Sequence, residues 1–274
     1  MSELNQESRL KLLGLWPRWS LKPEYLPRTA VTGAELTAGA AAAQPIPVAA
    51  LAAEVAEPAE DAMLPQTAAP GGSSQSAIAD RRMQIMRMDW DELTQTICHC
   101  QQCGLAQTRS QAVPGVGDRK AEWLIVGEAP GADEDAQGEP FVGQAGKLLD
   151  NMLAAIGLKR GDGVYIANVL KCRPPDNRNP QDIEIAACEP YLTRQIELIR
   201  PRIILAVGKF AAQWLLTSDK PVGALRGKIH HFNEIPVIVT YHPAYLLRSP
   251  TEKARAWEDL CLAQDALKQS APSL

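Results

Sequence analysis

The sequence of 274 residues is poor in aromatics: three Phe, five Tyr and six Trp make up 5% of it, so each one placed near a polar motif carries weight. It has no run near the roughly 20 apolar residues that span a bilayer. Its start, MSELNQESRLKLLGLW, has no net side-chain charge and lacks the apolar core of a secretory signal. These absences predict a cytoplasmic protein with no membrane segment. In that compartment thiols stay reduced, so clustered cysteines point to a metal or to chemistry rather than to disulfides. A basic excess is missing too. Residues 1–80 hold five Lys/Arg and nine Asp/Glu, a net of −4, leaving 23 of the 28 basic and 23 of the 32 acidic residues for the remainder. A neutral body does not announce a phosphate-binding surface, although a local patch would suffice. The P-loop order GxxxxGK[ST] is absent as well: Gly146-Lys147 is followed by Leu148.

Residues 34–80 contain no Lys, Arg or aromatic and are mostly Ala, Pro, Gly and Ser. Such a segment buries too little apolar surface to offset its ordering entropy. We expect a disordered linker over 34–85, with a local Ala-rich helix near 48–56 as the alternative. Residues 1–33 precede it and include ESRLKLLGLWPRWSL, with two of the six Trp. An apolar, aromatic peptide on a tether suits docking to a partner, because Trp and Arg are typical interface anchors. The alternative is a terminal helix that packs back on the body. Residues 86–270 then form the globular, monomeric part.

Four apolar runs punctuate that part: EWLIVG from 122, VYIANVL from 164, RIILAVG from 202 and PVIVTY from 236. Continuous rather than alternating runs suit strands buried on both faces. Helical patterns lie between them, at about 145–157, 182–199 and 208–217, with a last one at 250–268. This alternation predicts an α/β fold: a four-stranded, mainly parallel sheet between two helical layers. Ligands in such folds bind beyond the carboxyl ends of the strands.

The residues after each run therefore matter most. After the first comes Gly127-Glu128-Ala129-Pro130-Gly131, then Glu134, Asp135 and Phe141. Its glycines allow close backbone approach, but its four acidic residues would repel a nucleotide tail; an ordinary acidic turn is the plain alternative. After the second, Asn168 sits in an apolar strand, where an unpaired amide is costly. It offers both a donor and an acceptor, so it can read the edge of a base or simply bond backbone. After the fourth comes His242, a hydrogen-bond donor or proton handler on the functional reading and a structural residue otherwise. Leu246 and Leu247 beside Arg248 combine an apolar wedge with a phosphate ligand, which suits a loop that unstacks a base. The stretch CHCQQC holds Cys98, Cys100 and Cys103; by itself it allows a zinc half-site, a redox pair or an iron–sulfur cluster.

Taken together, CQQCGLAQTR, VPGVGD, GEAPGADEDAQGEPFVGQAGKLLDNML, YIANVLKCRPPDNRNP, CEPYL and HPAYLLRSP resemble the family 4, iron–sulfur uracil-DNA glycosylases over about residues 97–265. The resemblance implies an α/β/α sandwich and hydrolysis of the N-glycosidic bond of deoxyuridine in DNA, leaving an abasic site. By that resemblance Gly127, Ala129 and Gly131 line the substrate pocket, Phe141 stacks on uracil, and Asn168 reads its Watson–Crick edge. His242 faces O2 of the leaving base. A better-known branch orients water with an Asp where this chain has Ala129, so Glu128 or Glu134, with Asp135 third, is expected to take that task. That branch also excludes the thymine methyl with a Tyr where this chain has Gly131. Arg173 and Arg178, with Leu246, Leu247 and Arg248, are the expected DNA contacts. A further, covalent-trapping branch carries a His in the loop after the second strand; KCRPPDNRNP has none, so simple hydrolysis is implied.

The resemblance also sorts the cysteines: Cys100, Cys103, Cys172 and Cys188 become ligands of a [4Fe–4S] cluster, with zinc as the chemical alternative, and Cys98 and Cys261 drop out. Fifteen residues separate the second pair, unlike a zinc ribbon with two CxxC knuckles. The N-terminal Leu13-Gly14-Leu15 and Trp19-Ser20-Leu21 resemble the clamp-loader-binding start of the psi subunit of the bacterial replicative polymerase. That implies a possible replisome partner through residues 8–21. It also leaves two rival functions open: a non-catalytic replication adaptor on a glycosylase fold, and a nucleotide-dependent α/β enzyme, the latter weakened by the missing phosphate motif.

Overall fold

In a computed structural model of the chain, the residues described are Lys11 and 73–269. Six strands form one sheet: β1 (Val116–Gly117), β2 (Trp123–Gly127), β3 (Val164–Asn168), β4 (Ile203–Val207), β5 (Ile229–Phe232) and β6 (Ile235–Thr240), in the order β1-β3-β2-β4-β6-β5. The four apolar runs are the central strands. They pair in parallel, with Ile125 opposite both Ile166 and Leu205, and Leu205 opposite Ile238. Every residue of β2, β3 and β4 is buried, as expected of strands covered on both faces.

The sheet has two strands more than the sequence suggests. Both extra strands are antiparallel edges: β1 on β3 and β5 on β6. They escape notice for physical reasons. β1 is two residues long, and β5 reads IHHF, half exposed and without an apolar run.

Alternate residues of each strand face opposite layers. Trp123 and Ile125 pack with Leu149, Leu153 and Leu260, so the helices Gln144–Ala155 and Lys253–Gln269 cover one face. Leu124 and Val126 pack with Leu192, Ile196, Ala211 and Leu215, so the helices Asp182–Ile199 and Lys209–Leu216 cover the other.

The expected linker over 34–85 is too long at its end. Residues Ser73–Ile85 form a helix, and Ile85 is buried with Leu93, Ile97 and Tyr191. Ile85, a hydrogen bond from Arg81 to the Ala187 carbonyl (3.0 Å), the Arg81 guanidinium over the Tyr191 ring and an Arg82–Glu189 ion pair hold this polar helix, which hydropathy alone does not flag. The helix Trp90–Cys98 follows. Asp89 caps it by accepting from the Asp91 and Glu92 N–H groups (2.9 Å each). The proposed docking peptide and the rest of the linker lie outside the described residues, except Lys11.

Candidate active site and cysteine cluster

Beyond the carboxyl ends of β2, β3 and β6 lies a cavity of about 450 Å³. Gly127 and Asn168 end β2 and β3 as register partners. A Cβ on Gly127 would collide with Asn168 Oδ1 and lie 2.6 Å from Phe141 Cζ. Glycine there lets the amide and the ring close over the strand end. Asn168 is only 2% exposed, and its Oδ1 has no hydrogen-bond partner among the described residues. A buried acceptor in that condition is costly unless a ligand completes it.

Phe141 adopts φ +56, a left-handed conformation unfavourable for a bulky residue. Arg160 holds it there. Its Nη1 donates to the Pro140 carbonyl (2.8 Å), its Nη2 to the Phe141 carbonyl (2.7 Å), and its Nε to Asp150 (3.0 Å). Gly146 makes room for the same Phe141 carbonyl, which a Cβ would strike. Arg160 sits in a polar turn, LKRGDG, with nothing in its pattern to single it out.

His242 caps the helix Pro243–Arg248, and its Nδ1 accepts from the Ala244 N–H (3.2 Å). The ring proton is therefore on Nε2, the nitrogen left for a ligand. Burial, then the nearby Arg248, push its pKa down to about 4, with Glu134 opposing; the imidazole is neutral at physiological pH. Its ring stacks on Phe141, 5.6 Å between centroids and 30° apart.

The three carboxylates expected to compete for a water differ sharply. Glu134 Oε2 accepts from the Gly131 N–H (3.0 Å), and its Oε1 from Val142 (2.9 Å) and Gly143 (3.1 Å). Asp135 accepts from the Ser110 N–H through both oxygens (3.0 and 2.9 Å). Both carboxylates fasten loops. The Glu128 carboxylate makes no hydrogen bond to the described residues, and burial pushes its pKa up to about 7 against the pull of Lys209. A half-buried carboxylate near 7 on a cavity wall suits a general base.

The expected DNA contacts also divide. Leu246 is 1% exposed and belongs to the core, so it is no wedge; the helix turns it inward. Leu247, 46% exposed, and Arg248 face outward beside the cavity. Arg178 is tied to the buried carboxylate of Glu184 through two nitrogens (3.0 and 2.5 Å), so its charge is already used. Arg173 is half-buried and donates to Asn177 (2.8 Å).

Next to the cavity, Ala129 packs with Cys103, Cys172 and Cys188. Cys100 lies within electrostatic reach of Cys172, as does Cys103, which also reaches Cys188. Cys98 is exposed. Two cations accompany the four sulfurs. Arg109 Nη1 donates to Cys172 Sγ (2.7 Å), while Nη2 bridges the Cys98 (2.8 Å) and Cys100 (2.9 Å) carbonyls. Lys171 is fully buried, bonded to the Asn168 carbonyl (2.9 Å) and to Gln195 Oε1 (2.7 Å), both neutral. Burial pushes its pKa down to about 7, against the pull of the Cys188 and Cys172 sulfurs. Neither cation was singled out from sequence. Lys171 left one usable sign, a lysine inside the apolar stretch NVLKC.

A family model described as the uracil DNA glycosylase superfamily matches residues 114–261. The chain is 49% identical over 168 residues to a type-4 uracil-DNA glycosylase of Archaeoglobus fulgidus, covering 58% of this chain and 84% of that protein. It is 40% identical over 181 residues to a type-4 uracil-DNA glycosylase of Thermotoga maritima, covering 65% and 94%. It also matches a DNA polymerase of Bacillus phage SP01, 29% identical over 168 residues, which are 61% of this chain and 18% of the polymerase.

Proposed function

The chain belongs to the uracil-DNA glycosylase superfamily, and we propose that the cavity around Asn168 performs its reaction with the residues assigned below. The protein is a DNA glycosylase: it hydrolyses the N-glycosidic bond of deoxyuridine in DNA, releases uracil and leaves an abasic site. The observation that carries the assignment is the buried, unpartnered Asn168 Oδ1 facing a cavity walled by Phe141 and His242.

The scissile bond is out of reach in a stacked duplex, so the nucleotide must leave the stack. Leu247 is the exposed apolar residue suited to fill the gap, with Arg248 beside it for phosphate. Phe141 stacks on the extruded base. Asn168 Oδ1 accepts from uracil N3–H, and its Nδ2 donates to O4. Cytosine presents the opposite pattern and leaves two buried groups unpaired, which is how a polar site rejects a near-isostere.

Water attacks C1′ as the C1′–N1 bond breaks, and the electron pair leaves with the base, placing charge on O2. Glu128 takes the proton from water. His242 donates from Nε2 to O2, where charge grows only in the transition state. A neutral donor suits this task, because its proton stays in place over the working pH range.

Cys100, Cys103, Cys172 and Cys188 would hold a [4Fe–4S] cluster, which would tie together the CQQC loop, the loop after β3 and the helix Asp182–Ile199. The donor set fits an anionic group. Burial pushes the Cys188 thiol up to about 12 and raises Cys172, so a cation must hold them as thiolates. Arg109 and Lys171 supply the counter-charge that a buried cysteinate cluster needs. The cluster would brace the loop after the base-reading strand.

Residues 8–21 would tether this repair body to a replisome protein such as the clamp loader. Failure of a peptide of residues 1–28 to bind purified clamp loader would sink the tether. For the reaction, a single-stranded oligonucleotide with one deoxyuridine should acquire an abasic site, and Asn168→Ala and His242→Ala should each slow this by about 10²–10³-fold. Full activity in both variants would overturn the residue assignment.

A further inference from the structure

A second cavity, of about 520 Å³, adjoins the first and shares Glu128, His242 and Tyr245 with it. The volume falls within the range of about 300–1,000 Å³ typical of small-ligand sites. Its other walls come from Gly208 and Lys209 after β4, from Asp219 and Pro221 before the helix Val222–Leu225 and Val222 and Gly223 within it, and from Tyr241 after β6. Glu128, Lys209, Tyr241 and His242 follow the carboxyl ends of parallel strands, where such folds bind ligands.

Two features point to the occupant. Tyr245 is 38% exposed in a chain that has few aromatics, and its ring lies 5.2 Å from that of Tyr241. The exposed Lys209 ammonium is the neighbouring cation. Aromatic faces beside a single ammonium are how proteins hold single-stranded nucleic acid, the ring stacking on a base and the cation meeting its phosphate.

Strand continuity supplies the rest. For water on Glu128 to reach C1′ while His242 meets the base, the deoxyribose must sit between those two side chains. Both line the second cavity as well, so the chain leaving that sugar passes its mouth. We propose that this cavity holds the base of the nucleotide flanking the uracil in the same strand, stacked on Tyr245, with Lys209 on the intervening phosphate. The proposal rests on the uracil reading of the first cavity.

Gly223→Trp tests it by filling the space from the wall. A side chain there has room, its Cβ meeting only Tyr241 Oη at 3.9 Å. Three single-stranded oligonucleotides carry an internal deoxyuridine: one complete, one with a baseless spacer 5′ of the uracil, one with the spacer 3′. Gly223→Trp should raise KM about tenfold on the complete oligonucleotide, with kcat within about twofold, the size expected for one lost base stack. On the oligonucleotide whose spacer already removes the stacked base, the substitution should change nothing; this also identifies the flank. Lys209→Gln should raise KM on all three. An equal Gly223→Trp loss on all three, or no loss on any, would overturn the proposal. Failure of the glycosylase reading would look different, with no oligonucleotide cut even by the unsubstituted protein.

Discussion

At Asn168 a buried amide oxygen has no partner among the described residues, whereas at Lys171, on the same loop, a buried ammonium has two. The cavity and the cysteine site meet across these positions, yet they treat their polar groups in opposite ways. Around the cavity, Asn168 Oδ1, Glu128 and His242 Nε2 are left for something not part of the chain. Around the cysteines, Arg109 makes three hydrogen bonds and Lys171 bridges two elements. Unpaired buried groups cost stability and persist where a transient ligand pairs them. A buried lysine and a half-buried arginine beside four cysteines suit a permanent anion instead. The first pattern suits a substrate that comes and goes, the second a cofactor that stays.

The largest effect that would break this contrast is loss of the cofactor. Cys100→Ala should remove the iron and the visible charge-transfer absorption altogether, while Cys98→Ala keeps both; an iron count on each purified variant checks it. Equal iron in the two would show that the cluster does not use Cys100. Next in size, His242→Ala should lower kcat by about 10²–10³, as removal of one transition-state donor does. Single-turnover rates on a deoxyuridine oligonucleotide measure this directly.

Arg160→Met should cost about 10- to 100-fold in kcat/KM without loss of iron, because a misplaced Phe141 ring spoils the alignment of the bound base. The smallest effect is a matter of pH. Glu128 must be unprotonated to accept a proton, and its pKa of about 7 lies above the ordinary carboxylate value. The single-turnover rate should therefore climb about tenfold per pH unit below 7 and level off above it. His242 adds no further limb there, since it becomes charged only near 4. Glu128→Gln should remove the climb together with most of the rate.

The central strands were legible because strands buried on both faces must be continuously apolar, and EWLIVG, VYIANVL, RIILAVG and PVIVTY are. Edge strands escape that rule, so IHHF at β5 and the two residues of β1 were not. In the site, strand-end position pointed to Gly127, Asn168 and His242, because topology alone places those residues at the ligand. Sequence could not separate Glu128 from Glu134. Both are acidic residues after β2, and only the fold shows that three backbone N–H groups converge on Glu134. Leu246 and Leu247 are adjacent and chemically alike, and the helical phase alone buries one and exposes the other. Arg160 and Gln195 act through backbone carbonyls and a buried amine brought close by folding, which no local pattern records.

The most direct test concerns the bond between Asn168 Oδ1 and the N3–H of uracil. Excision rates should be compared for deoxyuridine and N3-methyldeoxyuridine in the same oligonucleotide, with the unsubstituted protein and with Asn168→Ala. The unsubstituted protein should discriminate against the methylated base by about 10³-fold or more, as sites built on buried hydrogen bonds do. In Asn168→Ala that discrimination should collapse to within about tenfold, the mark of two groups coupled to each other. An undiminished ratio in Asn168→Ala would contradict the assignment and place the base-reading group elsewhere.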